Sequence, residues 1–233
     1  MQAIILAGGM GTRLKGVVDD VPKPLASVSD RPFLAWLLEY MASQGVTEAM
    51  LCLHHKAEQI HDYLGDTAHG IQLRYSMEQT PLGTGGALRQ AMQQLKPTQP
   101  VFALNGDSLV QLDYRQMMAH HKHQARPLTL AAQFVDDCSR YSELTKHYAY
   151  ISEYKVLGRR EPGLASVGFY VLSPDLFEGH ELPGVFSFER DFLAPHTPTL
   201  KPAMYDEVRY FIDIGVPQDY ARANIEIPRL TLE

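Results

Sequence analysis

The sequence predicts one α/β domain: a mixed, mainly parallel sheet flanked by helices. Three observations carry this. Apolar runs of strand length alternate with longer helical patterns. The first run, Ala3-Ile4-Ile5-Leu6-Ala7, is continuously apolar and passes straight into glycines, as a central parallel strand does before its ligand loop. No repeat or low-complexity linker divides the 233 residues, a length that can bury one large core.

The elements follow in order. Pro32 to Ser43 reads as a helix: proline suits the first turn, Phe33, Trp36, Leu37, Tyr40 and Met41 share a face, and Gly45 stands as a C-terminal cap. Ala49 to Leu53 is a strand, Ala57 to Leu64 a helix, Ile71 to Tyr75 a strand, Gly86 to Leu95 a helix and Val101 to Leu104 a strand. Beyond about residue 110 the pattern is more mixed. Strands are expected at Leu128 to Val135, Tyr148 to Tyr154 and Ala165 to Leu172, and helices at Ser187 to Leu193 and Pro217 to Asn224.

Composition removes several classes of function. Lys and Arg number 21 against 27 Asp and Glu, a net charge of −6, which argues against a nucleic-acid-binding face. No stretch of about 18 apolar residues offers a membrane span. The apolar start, Met1 to Gly9, lacks a basic leader and a cleavage site, so a cytoplasmic location is expected. Cys52 and Cys138 lie in no metal-like spacing and read as buried thiols.

The chemistry concentrates in Gly8-Gly9-Met10-Gly11-Thr12-Arg13-Leu14 and Pro22-Lys23-Pro24. Parallel sheets place ligands at the carboxyl ends of their strands, and glycines there let main-chain amides approach a phosphate. Thr12 adds a hydroxyl, Arg13 and Lys23 add cations, and Pro22 and Pro24 are expected to keep the segment around Lys23 extended. The loop has neither GxGxxG spacing nor a GK[ST] ending, so the dehydrogenase and P-loop readings lose their support.

These two segments resemble the signature of the sugar-1-phosphate nucleotidyltransferases, which join a nucleoside triphosphate to a sugar 1-phosphate and release pyrophosphate. The resemblance continues in order through Pro81-Leu82-Gly83-Thr84-Gly85-Gly86-Ala87, Asn105-Gly106-Asp107 and Phe211-Ile212-Asp213-Ile214-Gly215. Within the family, Arg31-Pro32-Phe33-Leu34, Phe186-Ser187-Phe188-Glu189 and Tyr210 to Pro217 are similar to members that use GTP and a heptose 1-phosphate. The resemblance implies a Rossmann-like fold of the nucleotide-diphospho-sugar transferase type, with a nucleotide half (about 1–110) and a sugar-phosphate half (about 111–233). It implies Arg13, Lys23 and Asp107 as catalytic residues, and Mg²⁺ held by Asp107 and Asp213. It implies nucleotide contacts from Leu6, Ala7, Gly8, Gly9, Gly11, Thr12, Arg13, Lys23, Glu78, Pro81, Gly83, Thr84 and Gly106. Lys155, Ser166, Gly168 and Glu189 would meet the sugar phosphate. The partners are small molecules rather than nucleic acid or membrane, and a homo-oligomer is allowed.

Glu78 stands at the family's base-reading position, and a carboxylate that accepts two hydrogen bonds suits the N1–H and 2-amino donors of guanine better than uracil or thymine. Gly85 and Gly86 would permit close approach of base or sugar to a helix start. Three positions depart from the family pattern: Tyr154 precedes Lys155 where Glu is usual, Ser166 replaces Asn, and Ser142 replaces the glycine after Arg140-Tyr141. The first two bear on the acceptor sugar and leave the triphosphate half untouched. Competing readings are another pair, such as UTP with an amino-sugar phosphate, and a silent regulatory subunit that binds sugar nucleotides, against which the presence of Arg13, Lys23, Asp107 and Asp213 argues. His120-His121-Lys122-His123 and His54-His55 complete no metal pattern and read as solvated, while Met117-Met118 reads as core.

Overall fold

A computed structural model describes residues 1–9 and 21–230, and everything structural below concerns those residues. The expectations for Gly11, Thr12 and Arg13 fall outside them.

Strand β1 (Gln2–Leu6) is followed by a short hairpin of β2 (Ser27–Val28) and β3 (Arg31–Pro32), then by α1 (Phe33–Ser43). Pro32 precedes the first turn at φ −57°, where a missing N–H costs nothing. The Trp36 ring lies 3.6 Å beneath the Arg31 guanidinium and donates its indole N–H to Val28 O, pinning helix to hairpin. Next come β4 (Glu48–Leu53), α2 (Ala57–Leu64), β5 (Thr67–Ala68), β6 (Ile71–Met77), α3 (Gly83–Leu95) and β7 (Val101–Asn105). The remainder comprises β8 (Ser108–Gln111), α4 (Tyr114–Gln124), β9 (Leu128–Val135), β10 (Glu143–His147), β11 (Tyr150–Lys155) and β12 (Gly163–Leu172). A π-helical turn, Phe188–Leu193, then runs into α5 (Ala194–Leu200), and β13 (Ala203–Tyr205), β14 (Tyr210–Asp213) and α6 (Pro217–Glu226) close the order.

Ten strands form one mixed sheet in the order β10-β11-β13-β9-β12-β7-β1-β4-β6-β5. Its centre, β7-β1-β4-β6, is parallel, with Ile4 between Met50 and Ala103. Beyond β7 the pairing turns antiparallel at β12 and β9, while β13 joins β9 in parallel. β8 and β14 make a separate antiparallel ribbon that sets Asp213 opposite Ser108. Side chains alternate across β1, so Ala3 and Ile5 enter one core with Phe33, Leu37, Phe102 and Phe169. Ile4 enters the other core, with Met50, Leu88, Phe188 and Phe192. Among the described residues no helix is long and apolar enough to cross a membrane.

Two expectations are corrected. Lys23 does not sit in an extended segment; it opens a 3-10 turn, Lys23–Leu25, with Leu25 N–H donating to Pro22 O. Proline fits the tight turn because Pro24 needs no amide partner there. His121 is not solvated: its Nδ1 lies 2.9 Å from Thr129 Oγ1 and its Nε2 3.3 Å from Ser173 Oγ, because α4 turns that side chain onto β9 and β12. Burial, and then the neighbouring His120 and Lys122, push its pKa down to about 4. Lys122 and His123 are exposed as expected, both cysteines are free and buried, and Met117 is core.

Candidate active site

The carboxyl ends of β1, β4 and β7 open into one cavity of about 580 Å³. Leu6 to Gly9 form its floor. His54 and Glu78 stand on one side with Pro81, Gly83 and Thr84. Asn105, Lys23, Asp107 and Asp213 stand at the centre, and Arg140, Ser142, Tyr154, Ser166, Gly168, Tyr170 and Glu189 form the far wall. A parallel centre explains this convergence, since strands that run the same way deliver their exit loops to the same edge.

The centre is an ammonium between two carboxylates. Lys23 Nζ lies 2.5 Å from Asp107 Oδ2 and 3.7 Å from Asp213 Oδ1. The chain brings the aspartates together through the β8–β14 ribbon, and Ile214 N–H donates to Asp107 O at 3.0 Å. Gly215 N–H donates to Asp213 Oδ1 at 2.6 Å and orients it. Burial, then the charge of Asp107, raises the Asp213 pKa, and Lys23 works in the opposite direction. Two hard oxygen donors held this close fit a divalent cation. No further His, Cys, Asp or Glu joins them among the described residues, so such an ion would complete its shell with phosphate and water oxygens, as Mg²⁺ commonly does. The described lining carries Lys23 and Arg140 against Glu78, Asp107, Asp213 and Glu189. A polyphosphate therefore needs added positive charge here.

On the nucleotide side, Glu78 Oε2 accepts Leu82 N–H at 2.8 Å, and the Glu78 carbonyl lies 2.9 Å from His54 Nδ1. Gly83 has φ +72°, and a Cβ there would stand 2.5 Å from Phe186 O, so only glycine fits this turn. Thr84 donates to Glu189 Oε2 at 2.6 Å and accepts Phe188 N–H at 2.8 Å, tying the start of α3 to the π-helical turn. Gly85 and Gly86 do not make room for a base or sugar. Phe186 and Gly184 take that space, because the 182–186 segment packs onto α3. Gly106 does not line the cavity either: its N–H donates to Leu6 O, and a Cβ would press on Leu6 O and Ala7.

On the far wall, Ser166, Gly168 and Glu189 line the cavity, and Gly168 (φ +70°) lies against the Asn105 amide. Lys155 does not. Its ammonium pairs with Glu153 at 3.6 Å, because alternation along β11 turns Tyr154 inward and Lys155 away. The cation that does line this side is Arg140, whose Nη1 lies 2.7 Å from Asp219 Oδ2, at the first turn of α6. Arg140, His54, Asn105 and Tyr154 were not among the expected site residues. His54, expected to be solvated, is instead half-buried on the cavity wall and bonded to the Glu78 carbonyl. Its place just past a parallel strand was the signal that could have found it, whereas Arg140 is placed only by its partner 79 positions later.

The fold and this site define a nucleotide-handling transferase, and the chain belongs to the nucleotidyl transferase family, which it matches over residues 2–229. It is similar to D-glycero-alpha-D-manno-heptose 1-phosphate guanylyltransferase of Aneurinibacillus thermoaerophilus, 38% identical over 228 residues that span 97% of this chain and 98% of that protein. The enzyme of the same name from Campylobacter jejuni subsp. jejuni serotype O:2 is 39% identical over 225 residues, 94% of this chain and 97% of that one. Among solved structures, HddC from Yersinia pseudotuberculosis complexed with GMP-PN is 35% identical with a TM-score of 0.83, covering 97% of this chain and 98% of that chain.

Proposed function

We propose that this protein transfers a guanylyl group from GTP to a heptose 1-phosphate, giving a GDP-sugar and pyrophosphate. The observation that carries the reading is the triad of Lys23, Asp107 and Asp213 in the cavity at the carboxyl ends of β1, β4 and β7, with Glu78 on the base side and Arg140 on the other. Full-length similarity to two heptose 1-phosphate guanylyltransferases supports the choice of substrates.

A triphosphate and a sugar phosphate repel each other, so catalysis depends on positioning and charge neutralisation rather than on a protein nucleophile. An oxygen of the sugar phosphate attacks the α-phosphorus, the bond from that phosphorus to the oxygen bridging to the β-phosphate breaks, and pyrophosphate leaves with the electron pair. Gly8 and Gly9 present main chain to the phosphates, and Gly11, Thr12 and Arg13, next in sequence, are assigned to them by the family resemblance alone. Lys23 turns from the aspartates to the α-phosphate and stabilises the charge that grows on its equatorial oxygens. Asp107 and Asp213 hold Mg²⁺, which supplies further neutralisation when bound. Glu78 reads the base, with Pro81, Gly83 and Thr84 shaping its side of the cavity. Ser166, Gly168 and Glu189 face the sugar, and Arg140 takes the place beside the acceptor phosphate expected of Lys155.

The test is pyrophosphate release with Mg²⁺, each of five nucleoside triphosphates and a panel of sugar 1-phosphates. Release with GTP and a heptose 1-phosphate above all other pairs is expected. Release only with another pair overturns the substrate assignment, and no release with any pair overturns the reaction.

A further inference from the structure

Glu78 acts on its surroundings twice. Its side chain accepts the Leu82 amide on Oε2, which leaves Oε1 as the carboxylate oxygen with no protein donor among the described residues. Its main-chain carbonyl lies 2.9 Å from Nδ1 of His54, and this selects the tautomer of the neutral imidazole. A carbonyl oxygen only accepts, so Nδ1 carries the hydrogen, and Nε2 of the neutral ring is a bare acceptor. No described residue bonds that nitrogen. His54 and Glu78 line the same cavity, and Gly8 lies between them: a Cβ on Gly8 would stand 3.1 Å from His54 N and 3.2 Å from Glu78 Oε1. Glu78 thus fixes the tautomer of a histidine whose main chain lies, like Glu78 Oε1, against Gly8 at the end of β1 in the same cavity.

We propose that His54 is a second base-reading residue, whose Nε2 accepts a hydrogen bond from the 2-amino group of guanine while Glu78 Oε1 takes N1–H. The proposal rests on the GTP reading of this site and goes beyond it. Guanine offers two adjacent donors on this edge. Adenine places a bare N1 beside its amino group, so one of the two acceptors would face a lone pair. Uracil offers one donor between two carbonyls. With half of its carboxylate committed to Leu82, Glu78 alone meets only one of guanine's donors without sharing an oxygen. His54 supplies the other acceptor, and a site with a matched partner for each donor discriminates strongly against bases that leave a partner unpaired.

Inosine triphosphate lacks only the 2-amino group, so it isolates the contact. The experiment compares kcat/KM for GTP and ITP, with the same sugar 1-phosphate, in the wild type, His54→Leu and His54→Gln. The wild type should prefer GTP. His54→Leu should cut kcat/KM for GTP roughly tenfold, chiefly through KM, and bring the GTP:ITP ratio toward one. His54→Gln, whose amide oxygen can accept, should recover most of that ratio. A wild type that uses GTP and ITP equally overturns the proposal without any variant. Equal losses with both nucleotides in His54→Leu overturn it too, since that pattern belongs to a structural role. A wild type that turns over neither GTP nor ITP with any sugar phosphate is a different result, and it defeats the reading of the site itself.

Discussion

Gly215→Ala tests the central triad without touching a charge. A Cβ on residue 215 would stand 2.7 Å from Asp213 Oδ1, 3.2 Å from Asp213 Oδ2 and 3.1 Å from Lys23 Nζ. Ordinary contact begins near 3.4 Å, so the nearer carboxylate oxygen must retreat by about 0.7 Å. Gly215 is not in the left-handed region, so alanine brings no backbone strain of its own. The push therefore falls on the Asp213 side chain, which gives up the 2.6 Å bond from Gly215 N–H or rotates away from Lys23. Misplacing a reacting constellation by nearly 1 Å costs on the order of 10²-fold, so kcat should fall between about 10- and 100-fold. The half-saturating Mg²⁺ concentration should rise, while overpacking at a yielding side chain should cost no more than about 1 kcal/mol of stability. Gly184→Ala is the control, since nothing lies within 4 Å of a Cβ there. Pyrophosphate release as a function of Mg²⁺, together with a thermal melt, reads both quantities. A Gly215→Ala enzyme with wild-type kcat and wild-type metal dependence would refute the placement of Asp213 and Lys23 in the reacting centre.

Further outcomes follow from the same contacts. Lys23→Met should lower kcat by about 10²–10³-fold through loss of charge at the α-phosphate, with circular dichroism unchanged. It should also tighten Mn²⁺ binding in the absence of nucleotide, because the ammonium no longer stands between Asp107 and Asp213; paramagnetic titration measures this. For His121 the folded imidazole titrates at about 4, against 6.5 in the unfolded chain. Between those values the unfolded chain binds the extra proton, so stability is complete above about 6.5 and is lost as pH falls, by up to about 3 kcal/mol. Urea midpoints at pH 7.5 and pH 4.5 should show this in the wild type, and His121→Gln should flatten the difference. Thr84→Val leaves Glu189 Oε2 without the threonine hydroxyl and Phe188 N–H without an acceptor, so it should cost about 1–3 kcal/mol by denaturant unfolding.

The sequence by itself determined the local and repetitive features. β1, β4 and β7 were legible because strands buried on both faces are largely apolar, β6 because its apolar and polar residues alternate, and α1 because its buried residues recur every three or four positions. Lys23 was expected at the phosphates from its place in the loop, and Asp107, Asp213 and Glu78 came from the family resemblance; the structure places all four along one cavity. β8, β10 and β13 were not legible: two are five residues or fewer with a mixed face, and β13 has three residues, so no period can show. What only the tertiary structure decided is which side chains face the cavity. Alternation along β11 admits Tyr154 and turns out Lys155, and Asp219 at the start of α6 fixes Arg140. Phe186 fills the space over Gly85, and the Glu78 carbonyl sets the tautomer of His54. Apart from the alternation, whose inward face is set only once β11 joins the sheet, each of these depends on a partner well separated in the chain, and a single sequence records the residue but not the contact that orients it.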